Sequence, residues 1–146
     1  MRKSRVLMGM LLFVSTQMHA GEQVNFTIVP TIAGSNRVEV PINDMSRVTY
    51  KVTNNRPETL RLTIKPIIGV IQETQGEGVC TNPFSLAKGQ SCLLILRLTA
   101  NQLAPVTNGG PVICRTTLDF VNIPDDSFCS QPDSNDALMV TVVGGM

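Results

Sequence analysis

The chain has 146 residues, 42% of them hydrophobic and 16% charged, with 12 Lys and Arg against 11 Asp and Glu. It carries no tryptophan, one tyrosine (Tyr50) and one histidine (His19). The near-neutral balance offers no basic stripe for nucleic acid, and the shortage of aromatic faces argues against a stacking platform for sugars or bases.

Chain order begins with a basic segment (Arg2, Lys3, Arg5), an apolar run from Val6 to Val14 and a small residue at Ala20. Together these read as a secretory signal peptide over residues 1–20, with the exact cut open by a few positions because Met18 is a poor residue there. The apolar run is too short for a membrane helix, which needs roughly 20 residues, so no membrane span is expected after cleavage. No cysteine follows the run closely, which argues against a lipid-modified N-terminus. Cleavage near Gly21 removes His19 and three of the twelve basic residues, leaving a slightly acidic chain. Without imidazole there is no Ser-His-Asp or Cys-His nucleophile and no His-ligated metal. Residues 21–146 have the length of one domain with a buried core.

Period-two alternation dominates that domain. Val24, Phe26 and Ile28 alternate with Asn25 and Thr27; Val38, Val40 and Ile42 with Arg37 and Glu39. Val48, Tyr50 and Val52 follow, then Leu60, Leu62 and Ile64, each set interleaved with charged or hydroxyl residues. Such runs predict strands with one face on a core and one in water. Turn chemistry at Gly34-Ser35-Asn36, Asn43-Asp44, Asn54-Asn55-Arg56-Pro57 and Gly76-Glu77-Gly78 separates them. Ser91–Thr99 reads as a longer strand with Cys92, Leu94, Leu96 and Leu98 on one face. Leu93 and Ile95 make the other face apolar over half its length, the pattern of a central strand. Pro111–Thr117 and Ala137–Val143 supply two more. The fold class is all-β: a single immunoglobulin-like sandwich of about seven or eight strands. The least strand-like part is Pro124–Asp136. Its aspartates, Asp125, Asp126, Asp133 and Asp136, do not follow the alternate spacing of a calcium loop and read as a solvated turn.

Four cysteines, Cys80, Cys92, Cys114 and Cys129, allow three pairings. Their wide spacing is unlike the close knuckles of tetrathiolate zinc, and in an exported chain disulfides are the expected use. Nearest-neighbour pairing, Cys80 with Cys92 and Cys114 with Cys129, closes two loops of similar size. Their role is structural, since a redox pair would take a Cys-x-x-Cys form. No cofactor and no metal site is expected.

The segments Tyr50-Lys-Val-Thr-Asn-Asn, Leu60-Arg-Leu-Thr-Ile and Cys80-Thr-Asn-Pro-Phe-Ser-Leu-Ala-Lys-Gly-Gln-Ser-Cys92 resemble a bacterial exported immunoglobulin-like module. That group is related to the ASPM/SPD-2/hydin and choice-of-anchor domains, whose cysteine motif is matched by Phe84, Leu86, Gly89, Ser91 and Cys92. The later Gly109-Gly110-Pro111-Val112-Ile113-Cys114 and Cys129-Ser-Gln-Pro132 resemble a subgroup of such proteins from Gram-negative bacteria. The resemblance spans about Gln23 to Val143. It implies scaffolding, adhesion or accessory binding, and lends no catalytic residue.

The functional expectation is an exported, non-catalytic binding or structural module, periplasmic or extracellular, with a protein partner met through the sandwich surface or an edge strand. Val24–Val29 and Ala137–Val143 lie towards the chain ends, where edge strands are common, although for either one pairing inside the fold is the favoured reading. Oligomeric state is not set by the sequence. A secreted enzyme or toxin is the alternative, using Asp119, Asp125 and Asp126 with Lys88 or Ser91. A pilus-related subunit is another, although Val142-Val-Gly-Gly-Met lacks the terminal aromatic of a β-zipper segment. Asn25-Phe26-Thr27 matches a glycosylation sequon but reads as strand alternation.

Overall fold

A computed structural model describes residues 25–117 and 122–144. The signal-peptide reading, His19, Val24 and Asp119 therefore lie outside the described residues. The chain is all-β. Its strands are β1 (Phe26–Pro30), β2 (Arg37–Pro41), β3 (Met45–Asn54), β4 (Leu60–Ile64), β5 (Val70–Glu73), β6 (Phe84–Leu86), β7 (Ser91–Thr99), β8 (Val106–Asn108), β9 (Ile113–Thr116), β10 (Pro124–Ser130) and β11 (Met139–Val143). A 3-10 turn, Ala100–Gln102, follows β7. They form a disulfide-stabilised β-sandwich from three sheets, ordered β1-β3-β7-β5, β10-β9-β4-β6 and β2-β11-β8.

Alternation builds the core as expected. Phe26, Ile28, Val48, Tyr50, Val52, Leu94, Leu96 and Leu98 of the first sheet are buried, as are Leu60, Leu62, Phe84, Leu86 and Ile113 of the second. Val40, Leu138 and Val140 join the same cluster from the third sheet and its approach. β7 is central between β3 and β5, in the register expected for it.

Four expectations change. The Pro124–Asp136 stretch contains a strand, β10, which pairs antiparallel with β9 across an irregular register. Its polar side chains can occupy a strand because β10 is a sheet edge, with one flank open to water. Ala137–Val143 yields β11, paired inside the fold as favoured for it, parallel to β2 on one side and antiparallel to β8 on the other, whereas the Val24–Val29 strand departs from that reading because β1 is a sheet edge. Ile42 leaves the core face and stands 50% exposed, because the chain turns at Asn43, which adopts a left-handed φ of 68°. The short strands β5, β6 and β8 join those read from alternation, so that eleven strands stand among the described residues where about seven or eight were expected, and the Pro111–Thr117 strand narrows to β9.

The β8–β9 segment moves between sheets. Gly109 N–H donates to Leu138 O and Leu138 N–H to Gly110 O, both at 2.8 Å, while two residues later Lys65 N–H donates to Val112 O at 2.8 Å. One stretch of backbone thus leaves β11 for β4. Gly109 and Gly110 hold φ of 113° and 78° there, a region open to glycine and costly for residues with a Cβ.

Asn54 ends β3 as a buried hub. Its amide donates to Glu58 O and Leu86 O at 2.9 and 2.8 Å, and its Oδ1 accepts from Arg56 N–H at 2.8 Å. Its carbonyl accepts from the N–H of Gly89, whose φ is 73°. The turn residues that separate strands in the sequence are therefore tied to one another across the sheets.

Tyr50, fully buried, donates its phenol to Asp136 O at 2.9 Å. Burial first, and then the negative charge of Asp136, push its pKa well above the ordinary value. The unfolded chain therefore loses the phenolic proton above about pH 10, where the folded chain keeps it. Stability is fully present below that pH and is expected to fall as pH rises beyond it. Tyr50→Phe should flatten the alkaline limb of the pH–stability curve; an unchanged limb would contradict the linkage. Because Tyr50 is the only tyrosine and tryptophan is absent, ultraviolet difference absorbance reports its ionisation directly.

Candidate functional site

The cysteines pair as two bridges, Cys80–Cys92 and Cys114–Cys129. The first fastens the segment before β6 to the start of β7, and the second joins directly opposed residues of β9 and β10. Sγ atoms of Cys114 and Cys129 and a carboxylate oxygen of Asp126 lie within 4.8 Å of one another. Metal ligation requires thiolates, and both sulfurs are committed to the bridge.

The remaining aspartates are spread over separate partners. Asp125 accepts from Arg115 Nη2 at 2.9 Å, and its hydrogen bonds from Ser127, then from Arg115, hold its carboxyl below the usual range. Asp126 pairs with Lys65 Nζ at 2.6 Å. Asp133 O accepts from the N–H groups of Asp136 and Ala137 in a turn. Ser91 Oγ meets Thr53 Oγ1 at 2.7 Å on the first sheet, and Lys88 precedes Gly89 in the β6–β7 turn. Of the residues weighed for catalysis, Asp125 and Asp126 are neighbours on β10, each engaged by its own cation, while Ser91 lies on the first sheet and Lys88 in the β6–β7 turn.

Around β10 the charges are mutually engaged. Arg115 stacks over the Phe128 ring at 4.7 Å and Arg56 approaches it at 5.6 Å. Arg56 Nε also donates to Glu58 at 2.7 Å and its Nη1 to Asn25 Oδ1 at 3.2 Å. A backbone hydrogen bond, then the one from Arg56, lower the Glu58 pKa. Phe128 in turn packs 6.4 Å from Phe26, joining β10 to β1. This cluster is a latch between strands whose polar groups already have partners.

The first sheet is different. Its outer face carries the residues that alternate with the core: Thr27 and Val29 of β1, Arg47, Thr49, Lys51 and Thr53 of β3, Leu93, Ile95 and Arg97 of β7, and Ile71 and Glu73 of β5. Register sets Val29 beside Lys51 and Lys51 beside Leu93. Val29, Leu93 and Ile71 are exposed.

β1 forms one edge of that sheet. Asn55 N–H donates to Asn25 O and Thr31 N–H to Thr49 O, so the odd-numbered residues of β1 bond to β3. Antiparallel alternation then turns the peptide groups of Phe26, Ile28 and the carbonyl of Pro30 away from β3; Phe26 is covered beside Phe128 of β10, which leaves the Ile28–Pro30 end as the more open part of the edge. Phe-Thr-Ile-Val-Pro contains no charge, and its pairing with β3 runs without a bulge. Pro30, at the far end, is the sole blunting device of the usual kinds. The other sheet edges are less open: β10 is irregular and acidic, β2 carries Arg37 and Glu39, and β5, β6 and β8 have four residues or fewer. Val24–Val29 was legible as an alternating strand; the direction of its free peptide groups was not, because that depends on which partner it takes.

No family model, curated protein or solved structure matches the chain.

Proposed function

We propose that the chain is an exported binding module that accepts an extended segment of a partner protein along the edge of β1. The observation that carries this reading is the uncharged, regular edge strand whose peptide groups at Ile28 and Pro30 are not used by β3. A partner strand would gain main-chain hydrogen bonds there and set its alternate side chains beside Val29 and Lys51 on the outer face. Two disulfides fit an oxidising compartment, which agrees with a signal peptide over residues 1–20 and a mature chain in the periplasm or outside the cell. Kinship to the exported immunoglobulin-like modules rests on the cysteine motif around Phe84, Leu86, Gly89 and Cys92. Catalysis by carboxylates has less support, because Asp125 and Asp126 are each held by a cation.

The test is affinity capture from the exported fraction with the oxidised mature protein, followed by hydrogen exchange on the captured complex. Val29→Lys places a charge on the edge strand and is expected to reduce recovery of the partner roughly tenfold, about 1.4 kcal/mol. The Ile28 amide should gain protection in the complex. Undiminished capture by Val29→Lys with an unprotected Ile28 amide would overturn the edge reading, and turnover of a substrate would replace it with catalysis.

A further inference from the structure

Arg47 and Arg97 stand directly opposite each other on β3 and β7. Asn54 N–H donates to Gln90 O, and counting back by alternation makes Arg47–Arg97 a non-hydrogen-bonded pair, the kind that brings side chains closest. Like charges so placed destabilise a sheet. Only one is neutralised. Arg47 Nε reaches across β7 to Glu73 at 2.9 Å. Arg97 has no hydrogen bond or ion pair among the described residues, and its Nε–H is the one buried side-chain donor there without an acceptor. Leaving such a group unpaired costs more than a lost surface contact.

Both arginines line an open cleft of about 270 Å³ with Asp44, Met45 and Ser46. That is below the roughly 300–1,000 Å³ of sites for drug-sized ligands, so it suits a single functional group. Asp44 Oδ1 is engaged by Met45 N–H at 2.8 Å. The cleft therefore holds one arginine, Arg97, with no ion pair among the described residues, with the Asp44 carboxylate at its wall and Glu73 bound to Arg47.

We propose that this cleft binds a carboxylate of a polypeptide, with the Arg97 guanidinium as the principal donor and Arg47 beside it. A planar monoanion matches the guanidinium fork. Phosphate monoesters, carrying about −1.5 to −2 charges, would meet Asp44 and Glu73 with excess negative charge. Exposed Met45 and Ile71, the latter paired with Arg97 on β5, flank the site with apolar surface for the neighbouring residues of such a segment. The site does not depend on the β1 edge.

Titration followed at the Arg97 Nε–H resonance tests this on the oxidised mature protein. One probe is acetyl-Ala-Glu-Ala-amide, one is acetyl-Ala-Ala-Ala with a free C-terminus, and the third is inorganic phosphate. A saturable shift is expected with a carboxylate probe, and which probe binds tells a side chain from a chain terminus. Phosphate should bind at least about fivefold more weakly, given its charge. Arg97→Lys, which keeps the charge but loses the fork, should weaken binding roughly tenfold as read at the Met45 amide. Asp44→Asn should tighten it about threefold by removing a like charge. Val29→Lys should leave it unchanged, which separates this site from the edge. The proposal is overturned if neither carboxylate produces a saturable shift, if phosphate binds as well, or if Arg97→Lys binds like the unmodified chain.

Discussion

Truncating Leu96 to alanine is expected to destabilise the oxidised domain by about 2–5 kcal/mol. Leu96 is wholly buried in the central strand of the first sheet, flanked in register by Val48 on β3 and Gln72 on β5. A cavity there has sheet on both flanks and disulfide-tied strands around it, so it can collapse little. Arg97→Ala, one position on, should cost no more than about 0.5 kcal/mol, because the side chain it removes has no hydrogen bond or ion pair among the described residues and faces a like charge. Denaturant unfolding with both bridges intact supplies the two values. A larger cost at Arg97 would mean that its guanidinium is held by the fold itself, and the register assigned to β7 would have to change.

Replacing Cys114 and Cys129 together with alanine is expected to cost about 3 kcal/mol, on the loop-entropy account of a bridge that spans 15 residues. The local consequence is sharper than the global one. β9 and β10 match in register at Cys114–Cys129 and Ile113–Ser130, but the ladder shifts between Pro124 and Cys129. With so irregular a ladder, the covalent link does much to hold β10 in place. Its loss should release amide protection from Ser127 to Ser130 and free Phe128 from Arg115, while β3 and β7 keep their exchange rates. Uniform loss of protection across all strands would show instead that the bridge acts only through the unfolded chain.

The legible part of the fold was the part specified by local pattern. β3 and β7 alternate over nine or ten residues, and Leu93 and Ile95 marked β7 as central before any partner was known. β10 was hidden because Asp125, Asp126 and Ser127 follow no apolar period; a disulfide and a neighbouring strand position it. β5 was hidden because it is short and turns a polar Gln72 towards Cys80 and Thr81, whose carbonyls accept its amide. The Arg47–Arg97 pair was out of reach for a different reason. Each arginine reads singly as a solvated strand residue, and only a register joining positions fifty residues apart sets them face to face. Cysteine pairing lay between these cases, narrowed to three connectivities by count and settled by geometry.

The parallel pair of β2 and β11 joins residues roughly a hundred positions apart, Val38 with Val140 and Val40 with Val142. Closing so long a loop costs entropy before any contact repays it. A chain emerging from a ribosome can form the β1–β3 pair early, yet Val40 has no sheet partner until β11 follows. The third sheet must then be among the last pieces to assemble. Its lining valines stay uncovered throughout emergence, so a holding chaperone has its longest opportunity at β2.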